Sequence, residues 1–228
     1  MSRPAPKPAS LPTRGRPSHA QLARLRRADP RLARAMESLP RFPGFPDRTG
    51  RRDASHWEAL ARAIVHQQLS MAAAATIHAR LVRLGGGRFP SCEGVLASPE
   101  DALRGAGLSR AKVEALRDLA TRALDGRLRL RGLSRLADED VVARIEEVRG
   151  LGEWSAQMFL LFRLGRLDVA PAGDLGVQEG LRLLDGLSAR PTPRAALLRM
   201  ECWRPLRSVG AWTMWRLVEA DRSRVKNA

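Results

Sequence analysis

The sequence predicts an all-α fold, and three observations predict it. Apolar residues recur at helical spacing, most clearly Trp57, Leu60, Ala61, Ile64 and Val65. Helix-start signals recur along the chain: Ser18, Asp29-Pro30, Ser55, Ser70, Ser98-Pro99, Ser109 and Thr192-Pro193. Strand signals are missing, since Val, Ile and Thr are sparse, Tyr 0, and no stretch alternates apolar with polar over a useful length. About ten to twelve helices joined by short loops are expected.

Taken in order, residues 1–17 carry Pro4, Pro6, Pro8, Pro12 and Pro17 among Arg3, Lys7, Arg14 and Arg16, and read as a disordered basic arm. Ser18 opens a helix to Arg27, and Asp29-Pro30 opens one that ends near Pro40. Residues 41–53 read as a Pro/Gly/Arg-rich linker. Ser55 caps the amphipathic run through Val65, and Ser70 to Leu84 is Ala-rich and helical until Gly85-Gly86-Gly87. A short helix follows Ser98-Pro99, and a longer one runs from Ser109 to about Leu124. Further helices are expected over Asp138 to Val148, Trp154 to Leu164, 194–202, and Ser208 to about Ala220.

Composition narrows the function. The balance of 40 Lys+Arg against 24 Asp+Glu gives a net charge of +16, which suits nucleic acid, an acidic membrane or an acidic protein partner; its spread along the chain, with no single amphipathic anchor, favours nucleic acid. Cys92 and Cys202 are too few for an iron–sulfur cluster or a four-cysteine zinc site, and are expected to be plain buried thiols. No run approaches the roughly 18 apolar residues of a membrane span, and the N-terminus lacks the apolar stretch of a signal peptide.

The chemistry concentrates in VRGLGEWSAQMFLLFRLGRLDVAPAGDLGVQ, residues 148–178. Gly150-Leu151-Gly152 joins two helical runs. Such a turn lets backbone approach a phosphate and presents free N–H groups at the next helix start, although a plain αα-corner would look the same. Downstream, Ala170 to Gly173 delivers Asp174 to another helix start, where it serves as a helix cap or as a reactive carboxylate. Arg110, Lys112 and Arg149 are candidate phosphate contacts, or ordinary surface charge.

These pieces, with RAIVHQQLSMAAA (62–74), LRGAGLSRAKVEALRDLA (103–120) and RPLRSVGAWTMWRL (204–217), resemble the helix–hairpin–helix DNA glycosylases, in particular the DNA-3-methyladenine glycosylase II branch. The resemblance implies two helical lobes with a cleft between them. Residues 55–169 would form a lobe, carrying the hairpin at 148–156, inserted into one made of 18–54 and 170–228. An N-terminal β-domain found in some relatives is not expected. The implied partner is double-stranded DNA containing damaged bases, the implied setting cytoplasmic and nucleoid-associated, and a monomer is expected, with no membrane and no cofactor.

The resemblance also implies roles. Asp174 would be the catalytic carboxylate, stabilising positive charge on the sugar and orienting water. Gln68 would be the wedge that fills the space left by the extruded base, flanked by Gln67 and Leu69. Trp154 and Trp215 would wall the base pocket, suited to an electron-poor or cationic base. Trp154 also stands where strand-cleaving relatives carry a nucleophilic lysine, so a monofunctional, water-using enzyme follows. Met158 stands where close relatives place an aromatic residue, which implies a wider pocket and broader tolerance. Trp212 lines either pocket or core. Gly150 and Gly152 would approach the DNA backbone, and hairpin carbonyls would be able to hold a monovalent cation, with no metal bound by side chains. The competing readings are a glycosylase for oxidised or mismatched bases and a non-catalytic DNA-binding module.

Overall fold

The structure, a computed structural model, describes residues 15–45 and 55–226. In chain order the α-helices are α1 (His19–Ala28), α2 (Pro30–Ser38), α3 (His56–His66), α4 (Met71–Leu84), α5 (Cys92–Ala97), α6 (Glu100–Gly105), α7 (Arg110–Leu124), α8 (Asp138–Glu146), α9 (Glu153–Phe162), α10 (Leu175–Asp185), α11 (Pro193–Met200) and α12 (Arg207–Lys226). Short 3-10 turns cover Leu130–Arg135 and Glu201–Trp203. Among the described residues there is no β-strand, only an isolated bridge residue at Arg166.

Local chemistry sets these boundaries. Ser18 caps α1, and Gln21 reciprocates at the Ser18 amide. Ser55, Ser70, Ser109 and Thr192 each accept an N–H in the first turn of α3, α4, α7 and α11. The five apolar residues that mark α3 are all buried. Burying a large aliphatic side chain of this kind contributes roughly 1.5–3 kcal/mol before conformational entropy is subtracted.

The buried apolar side chains form two clusters. One draws on Phe45 and on residues from Trp57 to Val169. The other joins Leu25 and Leu32 to Leu167, Ala172, Val177, Leu181 and Trp203, ending at Met214. Phe42 and Trp215 pack against both and mark the seam. The chain crosses from one cluster to the other near Arg166, whose fully buried guanidinium pairs with Asp138 at 2.9 Å and donates to Leu136 O. The second cluster unites the two ends of the sequence. Asp29 caps α2 and also accepts from the buried indole of Trp203 at 2.7 Å and from Arg199. Burial pushes the Asp29 carboxyl up, and the Trp203, Leu32 and Arg199 donors outweigh it, leaving it below the usual range.

Several elements differ from expectation. The arm's residues 1–14 and the linker's 46–53, with residue 54, lie outside the described residues. Gly15, however, is fastened between Gly165 O and Phe45 N, so the last part of the arm is docked. Phe42 and Phe45 are not spacer either, because they pack edge-on to each other at 5.0 Å within an aromatic row. α5 and the turn at Leu130–Arg135 are too short to show a period in the sequence. α8 stops at Glu146, because Val148 turns back to Ile145 O and buries itself in the hairpin. α12 begins at Arg207 and runs past Ala220, through charged residues that form helix readily. Ser208 does not cap it. Its buried hydroxyl accepts instead from Val169 N–H. Cys92 is partly buried, which pushes its thiol up to about 11, but Cys202 is exposed, against expectation.

Candidate active site

The segment after the crossing is held rigidly before it reaches α10. Val169 N–H donates to Ser208 Oγ at 2.9 Å, and the buried Gln178 side chain donates back to Ala172 O at 2.9 Å. Asp174 then caps α10, accepting Val177 N–H on Oδ1 at 2.9 Å. The same Oδ1 accepts Trp215 Nε1–H at 2.8 Å, and Oδ2 accepts Trp154 Nε1–H at 2.8 Å. All three neighbours donate, an arrangement that an ionised carboxylate satisfies. Asp174 is only partly buried. Capping and a place at the seam therefore coexist in one residue.

Two glycines on α10, where it crosses α12, make this possible. A Cβ on Gly176 would lie 2.8 Å from Trp215 Cδ1 and 3.0 Å from Asp174 Oδ1. One on Gly180 would lie 2.4 Å from Met214 Cβ and 2.7 Å from Met214 backbone. α10 and α12 thus meet nearly backbone to backbone, which brings Trp215 to the carboxylate.

Trp154, on α9, is 49% exposed, with its indole edge on Asp174. Met158, one turn on, is half-buried against the first cluster. The aromatic partner of this face is one turn further on, at Phe162. Its ring stacks on Trp215, centroids 5.6 Å apart and 26° between planes, and meets Phe45 edge-on. Phe162 is the residue that sequence reasoning missed, although its spacing of two turns from Trp154 was there to read. Trp212 faces Phe42 at 5.5 Å and lines a cavity of about 540 Å³ with His19, Leu22 and Met36. None of Asp174, Trp154 and Trp215 lines that cavity.

The hairpin is mounted on α7. Gly150 has φ 77, a conformation that favours glycine, and a Cβ there would stand 3.3 Å from Ala115 Cβ. Arg149 N–H donates to Asp118 Oδ2 at 2.8 Å. Gly152 begins α9 with no side-chain cap, leaving first-turn N–H groups without a side-chain acceptor. Val148 O accepts Leu151 N–H, and Gly150 O accepts the Gln67 amide at 2.7 Å. Each carbonyl oxygen keeps a second lone pair. Among the described residues no group of His, Cys, Asp and Glu is placed to hold a metal.

The side chains around the expected wedge are more engaged than the sequence implies. Lys112 is not a free phosphate contact. Its ammonium donates to Val65 O and Gln67 O, each at 2.8 Å, and burial lowers its pKa. Gln67, expected beside the wedge, spends its amide on Gly150 O. Gln68 is exposed with φ 56, and Leu69 is exposed next to it. Arg110 and Arg149 are both well exposed and share Glu114, at 3.3 and 2.6 Å. Exposed pairs of this kind are weak, so either arginine can exchange Glu114 for another anion. His66, at the end of α3, has its Nε2 buried, and burial with the Arg62 and Lys112 charges lowers its pKa.

Residues 61–205 match the HhH-GPD superfamily of base excision DNA repair proteins. DNA-3-methyladenine glycosylase 1 of Schizosaccharomyces pombe is 33% identical over 162 residues, 70% of this chain and 71% of its own length. The solved DNA-3-methyladenine glycosidase of Bacillus halodurans superposes with TM-score 0.75 at 29% identity, covering 86% of this chain and 87% of the other. The Schizosaccharomyces pombe 3-methyladenine DNA glycosylase Mag1, solved with abasic DNA, gives TM-score 0.72 at 27% identity over 87% of this chain and 95% of that one.

Proposed function

The chain belongs to the HhH-GPD superfamily of base excision DNA repair proteins, and from that premise we propose that it is a monofunctional DNA glycosylase acting on alkylated bases. It flips out a base of the 3-methyladenine type and hydrolyses its N-glycosidic bond, leaving an abasic site. The observation that carries this reading is the Asp174 carboxylate, held at the seam by the indoles of Trp154 and Trp215.

Breaking the bond builds positive charge on the deoxyribose. Asp174, fixed by three donors, is ready to oppose that charge without reorganising. Oδ2 keeps one lone pair for a water beside the Trp154 bond. The exposed Trp154 face and the Phe162–Trp215 stack offer π surface to a cationic base. An alkylated purine that already carries positive charge leaves readily, so no second carboxylate is required. With tryptophan at 154 the attacking group is water, and no Schiff base forms. Gln68, with Leu69, fills the vacated stack, while Gly150, Gly152, Arg149 and Arg110 meet the phosphates. A monovalent ion on the hairpin carbonyls would add positive charge there. Of the described residues, 55–169 form one lobe and 18–45 with 170–226 the other, and the enzyme works as a cytoplasmic monomer on damaged duplex DNA.

The test is release of free base from a panel of duplexes, each with one defined lesion, followed by alkali at the abasic site. Release of 3-methyladenine with strand scission only after alkali is expected. Scission without alkali, or activity confined to oxidised bases, contradicts the reading.

A further inference from the structure

Lys112 and Gln67 act on one loop. The C-terminus of α3 leaves carbonyls without helical partners, and the Lys112 ammonium answers two of them, Val65 O and Gln67 O, each at 2.8 Å. From the same loop the Gln67 amide crosses to the hairpin and donates to Gly150 O at 2.7 Å. The hairpin is itself fixed to α7, through Asp118 to Arg149 N–H and through Ala115 beneath Gly150. α7 therefore carries both elements, the loop by Lys112 and the hairpin by Asp118 and Ala115. Next to Gln67 in that loop, Gln68 is exposed and held at φ 56, a conformation a residue with a Cβ rarely adopts without support.

We propose that Lys112 and Gln67 are positioning residues that lock the Gln68 wedge in register with the phosphate-binding hairpin. Docking of the hairpin on the backbone then places Gln68 at the stack in one geometry, and base extrusion depends on that registration. The inference rests on the glycosylase reading for its wedge. It differs from an electrostatic role for Lys112, because a phosphate contact and a loop latch respond differently to salt.

The experiment uses the full chain and a duplex with 2-aminopurine beside the target base, whose fluorescence rises when the neighbouring stack opens. Lys112→Met removes the ammonium and keeps the stem. The expected result is an unchanged slope of log affinity against log salt, with fluorescence rise at saturating protein reduced about tenfold. A slope lower by about 0.9, the value for one lost phosphate contact, with full fluorescence overturns the proposal. Gln67→Met breaks the other half of the latch on an external loop, and serves alone if Lys112→Met does not fold. It should lose the fluorescence rise at unchanged slope, and a full rise in Gln67→Met overturns the proposal as well. Absence of any rise with the unsubstituted protein also overturns it. Excision of 3-methyladenine by the unsubstituted protein is scored separately, so failure of the glycosylase reading is recognised on its own.

Discussion

Trp154 Nε1 donates to Asp174 Oδ2 at 2.8 Å, so the most exposed wall of the proposed pocket also orients its carboxylate. Trp154→Phe keeps the ring and deletes the donor. A hydrogen bond to a charged group is worth about 1.5–3 kcal/mol, so single-turnover excision is expected to fall by about tenfold or more, with little change in DNA affinity. An unchanged rate would mean that the indole acts as a wall alone.

The approach of α10 to α12 gives a second prediction. Gly180→Ala puts a Cβ against Met214 at 2.4 Å. Overpacking costs about 1–3 kcal/mol, while alanine returns about 1 kcal/mol of helix propensity, so a net loss of stability is expected in urea unfolding. Gly176→Ala presses instead on the Trp215 indole and Asp174 Oδ1, and should reduce excision more than it reduces stability.

What was legible in the sequence was whatever is local. Ser18, Ser55, Ser70 and Ser109 accept first-turn N–H groups, and the apolar face of α3 is buried as its spacing requires. Asp174 could be singled out because a proline- and glycine-punctuated loop ends on it. The stacking of Phe162 on Trp215, and the turning of Lys112 toward α3, were not legible. Both depend on a contact between distant segments, and lysine at a helix start looks the same whether it faces a phosphate or a carbonyl. Phe42 and Phe45 were hidden for a related reason, since loop composition does not reveal which loop residues pack.

Acid should act through His56. Arg163 Nε–H donates to His56 Nδ1 at 2.9 Å, which requires a neutral ring. Burial, then the Arg163 charge, lowers its pKa from 6.5. A lowered pKa means stability that is full above 6.5 and is lost as pH falls from there through the folded-state value. His56→Asn offers an acceptor that does not titrate. The stability advantage of wild type over this variant, read from urea midpoints, should shrink between pH 7 and pH 5. A constant difference would contradict the assignment.

Phe162→Leu tests the aromatic row. It removes the stacked face on Trp215 while keeping apolar volume. Folding should survive, because the ring is 46% exposed, and excision of a cationic base should fall more than excision of a neutral one. Equal losses on both substrates would leave Phe162 as packing only.

The most direct measurement is single-turnover excision of 3-methyladenine by Asp174→Asn. Asparagine caps a helix about as well as aspartate, so fold and affinity for abasic DNA should persist. The rate is expected to fall at least about 100-fold, the lower range for loss of a positioned acid–base group. Excision at the wild-type rate by a variant that still binds abasic DNA would contradict a catalytic role for this carboxylate.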